Sequence, residues 1–289
     1  MLVSVIVPTY KQIASLKKAI HSLLIQNYQN IEIIIVDDNY DADFSKKVES
    51  MINAIGDKRI TYIRNELKLG SAMSRNKGVF ISRGEYITFL DDDDIFLPGK
   101  IDKQLNYMHL FKLDYSVCDI VLVNENDKVK DVRKRRFLSY KKSLFKKHIM
   151  YHITATSTFM FKSQFLKNIG GFDRIDLGDE FYLMAKAISN SDKFGHLEYI
   201  GVRATIHRNT GLSASGNKIT AEKNLLEFKK THFGSLSKGE IRYILMRHNL
   251  VLASAHLKGR RPFKFIKHLL YSLYCSPCGV FKTIIGRDK

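Results

Sequence analysis

Runs rich in Ile and Val at residues 2–8, 31–36, 60–63, 86–90 and 117–123 place apolar side chains at consecutive positions. That is the pattern of strands buried on both faces of a parallel sheet. Between them the period changes. Ile13, Leu16, Ile20, Leu23 and Leu24 form one apolar stripe at helical spacing, Val48, Ile52 and Ile55 a second, and Leu105, Met108 and Leu110 part of a third. The order β-α-β-α-β-α-β-α-β predicts an α/β fold with a doubly wound, mostly parallel, Rossmann-like sheet, which binds ligands outside the carboxyl ends of its strands. Polar residues just after the first, second and fourth runs are therefore the first candidates for ligand contacts.

Beyond residue 125 the pattern loosens. A basic stretch spans 128–147, a strand is expected over 157–161, a helix from about Asp179 and a strand near 198–202. This predicts one domain over 1–217, in two parts, 1–124 and 125–217. The remainder, 218–289, reads as a helical, basic appendage.

A chain of 289 residues with 45% hydrophobic composition can bury a sizeable core, which excludes a disordered protein. Residues 2–7 run straight into a strand with no basic segment or cleavage site before them, and no eighteen consecutive residues are apolar. Both point to a cytoplasmic protein whose contact with membrane, if any, is peripheral. Cys118, Cys275 and Cys278 do not suit a disulfide framework, and Cys275 and Cys278 lack the second ligand pair of a zinc site. The net charge of +18 calls for a polyanionic partner.

The run 86–90 ends in Asp91, Asp92, Asp93 and Asp94. Four adjacent like charges are costly unless a cation joins them, and oxygen ligands select Mg²⁺ or Mn²⁺, commonly shared with substrate phosphates. A solvated acidic turn is the alternative. Asp37 and Asp38 end the second strand, where a carboxylate commonly meets a nucleotide's ribose or base. The first strand ends in Pro8-Thr9-Tyr10-Lys11, and no glycine precedes Gly56, so a glycine-rich phosphate loop is missing. A metal held by the aspartates would neutralise a diphosphate instead.

Four ordered blocks now carry a family resemblance: 3–10 (VSVIVPTY), 33–39 (IIIVDDN), 70–78 (GSAMSRNKG) and 84–94 (GEYITFLDDDD). Together they resemble family-two inverting glycosyltransferases with the GT-A fold, closely over about 1–100 and more loosely over 150–215. The resemblance implies a nucleoside-diphosphate sugar donor, often a UDP-sugar, and a glycan or lipid-linked acceptor in bacterial surface polysaccharide synthesis. It places Pro8, Thr9, Tyr10 and Asp38 toward the nucleobase with Arg75 near it, Asp91 and Asp92 by the ribose and metal, and Asp93 as the main ligand of Mn²⁺ or Mg²⁺. Lys11 departs from the pattern, which more often has Asn there.

Inverting transfer needs a base for the acceptor hydroxyl. Gly170-Gly171-Phe172-Asp173 followed by Asp179-Glu180 resembles the family's paired acidic motif at a helix start, with Asp179 the preferred base and Glu180 the second candidate. An N-capping role for Asp179 is the alternative. His207 resembles the late histidine of a loop that closes over the diphosphate. Two rival functions are weaker. A nucleic-acid binder would use the basic cluster 133–136, but no such motif accompanies it, and a sugar nucleotidyltransferase would need the missing glycine-rich loop. Basic and apolar residues alternating after residue 240 suit a helix lying on an anionic membrane.

Overall fold

The computed structural model describes residues 1–134, 141–153, 155–175, 177–206 and 215–284. These separate into two compact units: one of 1–144, 153–175 and 179–206, the other of 145–152, 176–178 and 207–289.

The first unit begins with β1 (Val3–Thr9), α1 (Ile13–Leu24), β2 (Ile31–Asp37), α2 (Ala42–Ile55), β3 (Ile60–Arg64), α3 (Ser71–Ile81) and β4 (Tyr86–Phe89). It continues through a two-residue strand β5 (Ile95–Phe96), α4 (Lys100–Leu110), β6 (Tyr115–Asn124) and β7 (Val129–Arg133), to which α5 (Lys141–Tyr151) is connected. It ends with β8 (Phe159–Lys162), α6 (Ser163–Asn168), α7 (Asp179–Asn190) and β9 (Phe194–Ile206). Every residue of β1, β2 and β4 is buried, as expected of largely apolar runs at the centre of a sheet.

The sheet order is β3-β2-β1-β4-β8-β6-β9-β5, with β7 paired to β6. β1 to β4 are mutually parallel, and β6 pairs with β9 in parallel. β8 enters antiparallel between β4 and β6, so the sheet is mixed at its centre. β6 covers the expected strand run 117–123, while its hairpin partner β7 falls inside the basic stretch that carried no strand signal. Gly78 lets α3 approach β1, where an added Cβ would lie 2.5 Å from Ile6. Immediately after the four aspartates the chain turns into β5, which pairs antiparallel with β9, and the Leu97 N–H donates to the Gly201 carbonyl at 2.9 Å. The acidic loop is thereby held at both ends, by β4 and by β5.

The second unit is helical. It contains residues 145–151 of α5 with α8 (Ser215–Lys230), α9 (Lys238–Lys258), α10 (Pro262–Cys275) and α11 (Pro277–Ile284). Ser237 and Glu240 form a reciprocal capping box at the start of α9, and Pro262 opens α10 at a position where its missing N–H costs nothing. Cys275 packs with Met246 and Val280 in a small apolar cluster, while Cys278 is exposed. Among the described residues no helix is long and apolar enough to cross a membrane.

Candidate functional site

The ends of β1, β2 and β4 lie side by side: the Asp38 N–H donates to the Thr9 carbonyl at 2.9 Å, and the Leu90 N–H to the Ile6 carbonyl at 3.0 Å. Pro8 belongs to β1 itself, buried opposite Val36, and shapes the strand end. Thr9 Oγ1 donates to Asp92 Oδ2 at 2.7 Å, and the Tyr10 N–H reaches the same oxygen at 3.1 Å. Lys11 adopts a left-handed backbone (φ 57°) and donates its N–H to Asn39 Oδ1 at 2.9 Å. The Tyr10 ring has the Lys68 ammonium 4.2 Å and the Lys11 ammonium 5.4 Å from its centroid, which gathers positive charge at this turn.

Asp37 and Asp38 divide their work. The Asp37 carboxylate points inward, accepting from Tyr62 Oη at 2.7 Å and the Asn39 N–H at 2.8 Å. Asp38 accepts from Asn65 Nδ2 at 2.8 Å and from the N–H groups of Leu69 at 2.7 Å and Gly70 at 2.9 Å. It thus fixes the loop leading into α3, where Gly70 has φ 83°. Asp38→Ala leaves two backbone donors without their acceptor and is expected to cost about 2–4 kcal/mol of stability. Urea unfolding measures this, and an unchanged midpoint would mean that the loop is held by something else.

The four aspartates do not face one way. Asp94 is buried, accepting from the Ser157 hydroxyl at 2.7 Å and the Thr205 N–H at 3.3 Å. Asp92 turns to the end of β1, as described. Asp91 accepts from Arg75 Nη2 at 2.6 Å, and Asp93, half-buried between them, adds its charge to both Asp92 and Asp94. Burial drives Asp92 up to about 7, reinforced by Asp93 and Asp91. Burial and the charges of Asp91 and Asp93 also raise Asp94 well above the usual carboxylate range.

Arg75 is the centre of the site. Expected near a nucleobase, it bridges the acidic loop to α7, donating through Nη1 to Asp179 Oδ2 at 2.7 Å across 104 positions of sequence. Its guanidinium lies 5.4 Å from the Phe172 ring centroid, and its buried Nε has no hydrogen-bond partner. Burial opposes the Arg75 charge, but Asp91 and Asp179 outweigh it and raise its pKa. The next residue of α3, Asn76, exchanges hydrogen bonds with the backbone of Phe172, at 2.8 and 2.9 Å. Gly171 makes that approach possible: its φ is 60°, and a Cβ there would lie 2.5 Å from Asn76 Oδ1. The blocks around residues 75 and 171 thus dock on each other, which sequence spacing did not reveal.

Asp179 is buried at the start of α7 and Glu180 beside it is half-buried. Burial raises Asp179 to about 7 against the pull of Arg75, with the Glu180 charge and its hydrogen bond adding to the rise. Burial raises Glu180 as well. A carboxylate poised near neutrality and already oriented by an arginine has the properties of a general base. His207 lies outside the described residues.

Asp91, Asp179 and Glu180 act on one guanidinium, and the charges of Asp91 and Asp93 act in turn on Asp92 and Asp94, so the cluster holds more carboxylates than one arginine neutralises, which suits a hard divalent cation. Among the described residues no three His, Cys, Asp or Glu side chains are arranged to hold a metal by themselves. A Mg²⁺ or Mn²⁺ using one or two of these carboxylates would complete its shell with water and substrate phosphate oxygens, the usual arrangement for such ions.

Comparison with known proteins gives the family and the fold. A model of "Glycosyl transferase family 2" matches residues 4–170. An uncharacterized glycosyltransferase of Methanocaldococcus jannaschii is 35% identical over 204 residues, covering 68% of each chain. An Escherichia coli enzyme, UDP-Glc:alpha-D-GlcNAc-diphosphoundecaprenol beta-1,3-glucosyltransferase, is 39% identical over 115 residues; the match covers 40% of this chain and 44% of that one. Among solved structures, S. aureus TarS in complex with UDP-GlcNAc aligns with a TM-score of 0.64 at 17% identity, over 95% of this chain and 91% of that one. That likeness shows a shared fold.

Proposed function

Because this chain belongs to glycosyl transferase family 2 and has the GT-A fold, we propose that it is an inverting enzyme. It moves a sugar from a UDP-sugar to a hydroxyl of a glycan or lipid-linked acceptor, in the synthesis of a bacterial surface polysaccharide. The observation that carries this reading is the single guanidinium of Arg75, 2.6 Å from the acidic loop and 2.7 Å from the candidate base. It holds donor-side and acceptor-side carboxylates in one site at the carboxyl ends of the strands.

In this scheme Asp179 accepts the proton of the acceptor hydroxyl as its oxygen attacks the anomeric carbon. The bond from that carbon to the diphosphate breaks on the opposite face, so the anomeric configuration inverts. Arg75 keeps Asp179 oriented and prevents it from drifting toward the acidic loop. Thr9 and the Tyr10 N–H hold Asp92 at the donor end, and Lys11 and Lys68 lie where the donor's negative charge is expected. Asp93 and Asp91 are the proposed ligands of Mn²⁺ or Mg²⁺, and such an ion, when bound, supplies neutralisation of the charge developing on the leaving diphosphate. The E. coli relative, which by its name uses UDP-glucose and a diphosphoundecaprenol-linked acceptor, supports the choice of donor and acceptor class.

The test is a screen of UDP-, GDP- and dTDP-sugars with Mn²⁺ present, followed by NMR of the product's anomeric configuration. Turnover confined to GDP- or dTDP-sugars would remove the UDP assignment, and a retained configuration would remove the single displacement. A second measurement addresses the metal. The folded protein holds Asp92, Asp94, Asp179 and Glu180 at raised pKa values. Their stabilising neutral forms are fully present below the ordinary carboxylate range and are lost as the pH rises, through about 7 for Asp92 and Asp179. Mn²⁺ relieves the repulsion that then develops, so it is expected to raise the Tm by several degrees near about pH 8 and by much less near about pH 5. A Tm indifferent to Mn²⁺ at both values would remove the ion from the site.

A further inference from the structure

α10 turns one face to α9 and another to solvent. Ser272 Oγ donates to the Met246 carbonyl at 2.8 Å, and His268 Nδ1 meets Asn249 Oδ1 at 2.8 Å, which fixes the packed face. The opposite face is apolar: Phe263 is 88% exposed, Tyr274 82%, Leu270 61% and Ile266 50%. With about 100° per residue, Phe263, Leu270 and Tyr274 lie within about 40° of one another, and Lys264 and Lys267 flank them on one side. From residue 241 to residue 287 the sequence has no Asp or Glu, and Lys258, Arg260, Arg261, Lys264, Lys267 and Lys282 are all exposed.

We propose that this face of α10 docks onto the surface of an anionic lipid bilayer. An aromatic and aliphatic stripe beside cations is the pattern of a helix lying in the interface plane, with its apolar side chains below the headgroups and its lysines among them. Fourteen residues rise only about 21 Å, short of the roughly 30 Å of a hydrocarbon core, so the helix lies in the surface and does not cross it. Charge selects this occupant over a second copy of the chain, because two such faces would bring like charge together on a protein of net charge +18. The inference rests on α10 and the cations around it and does not depend on the catalytic scheme.

The full chain is sedimented with phosphatidylcholine vesicles that contain or lack phosphatidylglycerol. Binding is expected only with the anionic lipid and is expected to fade as salt rises. Lys264→Gln with Lys267→Gln should weaken it roughly thirtyfold, the equivalent of about 1 kcal/mol per basic residue. Phe263→Ser and Leu270→Ser should each weaken it about tenfold or more. These side chains are exposed, so the Tm and donor hydrolysis should stay at the parent values, and a fall in either would assign the face to packing within the protein. Equal binding to both vesicles, or none to either, would overturn the proposal. A concentration-dependent dimer lost in Phe263→Ser would give the face to a second copy, and an acidic protein partner would be indicated if the chain bound neither vesicle yet bound polyglutamate through Lys264 and Lys267.

Discussion

Asp179→Asn is expected to bind a UDP-sugar as the parent does and to lose about 10²–10⁴-fold in turnover, the usual worth of general-base assistance. The substitution is isosteric, and its amide oxygen can still accept from Arg75 Nη1, which lies 2.7 Å from Asp179 Oδ2 in the parent. Geometry is kept while the capacity to take a proton is removed. The pH profile gives an independent reading. Burial raises Asp179 to about 7, so the base form is depleted below that value, and the parent's kcat/KM should fall about tenfold per pH unit on the acid side. The variant should lack that limb. Glu180→Gln is the informative control: the Glu180 charge and hydrogen bond both raise Asp179, so their loss should move the acid limb to lower pH with a smaller loss of rate. A larger loss from Glu180→Gln than from Asp179→Asn would reverse the two roles.

Asp93→Ala should abolish metal-dependent binding of UDP and lower transfer by about 10³-fold or more. An ion at the diphosphate is worth several kcal/mol, at 1.36 kcal/mol per decade of rate. The fold should survive, because Asp93 is half-buried in a loop anchored by β4 and β5. In chelator the variant should be at least as stable as the parent above neutral pH, since the Asp93 charge is one cause of the raised pKa values of Asp92 and Asp94. Titrating Mn²⁺ against UDP binding and following the Tm in chelator separate the two effects. Near-parental turnover of the variant with chelator present would end the metal assignment, and a collapse of its Tm would make Asp93 a structural residue.

Much of the fold follows from local pattern. Runs of Ile and Val long enough for one strand each specify β1 to β4, and stripes of helical period specify α1, α2 and part of α4. Side-chain periodicity is a property of neighbouring residues and needs no knowledge of the rest of the chain. The same locality made the acidic loop legible, because four consecutive carboxylates at a strand's end are visible in the sequence alone, and it made Asp179 and Glu180 visible as a pair at a helix start.

Other features were decided by tertiary structure. The entry of β8 between β4 and β6 depends on which edges are free to pair, and a strand's own residues do not state their partner. Arg75 reads in sequence as one polar residue in a helix. Only packing brings Asp91 and Asp179 to opposite ends of its guanidinium and makes it a bridge between distant segments. Asp38 and Asp92 likewise look like free carboxylates until the fold commits one to the α3 loop and the other to the end of β1. The proton affinity of Asp179 is the sharpest case. It is set by how much water is excluded and by which charges from distant segments arrive beside it, and both are properties of the folded chain and not of any stretch of its sequence.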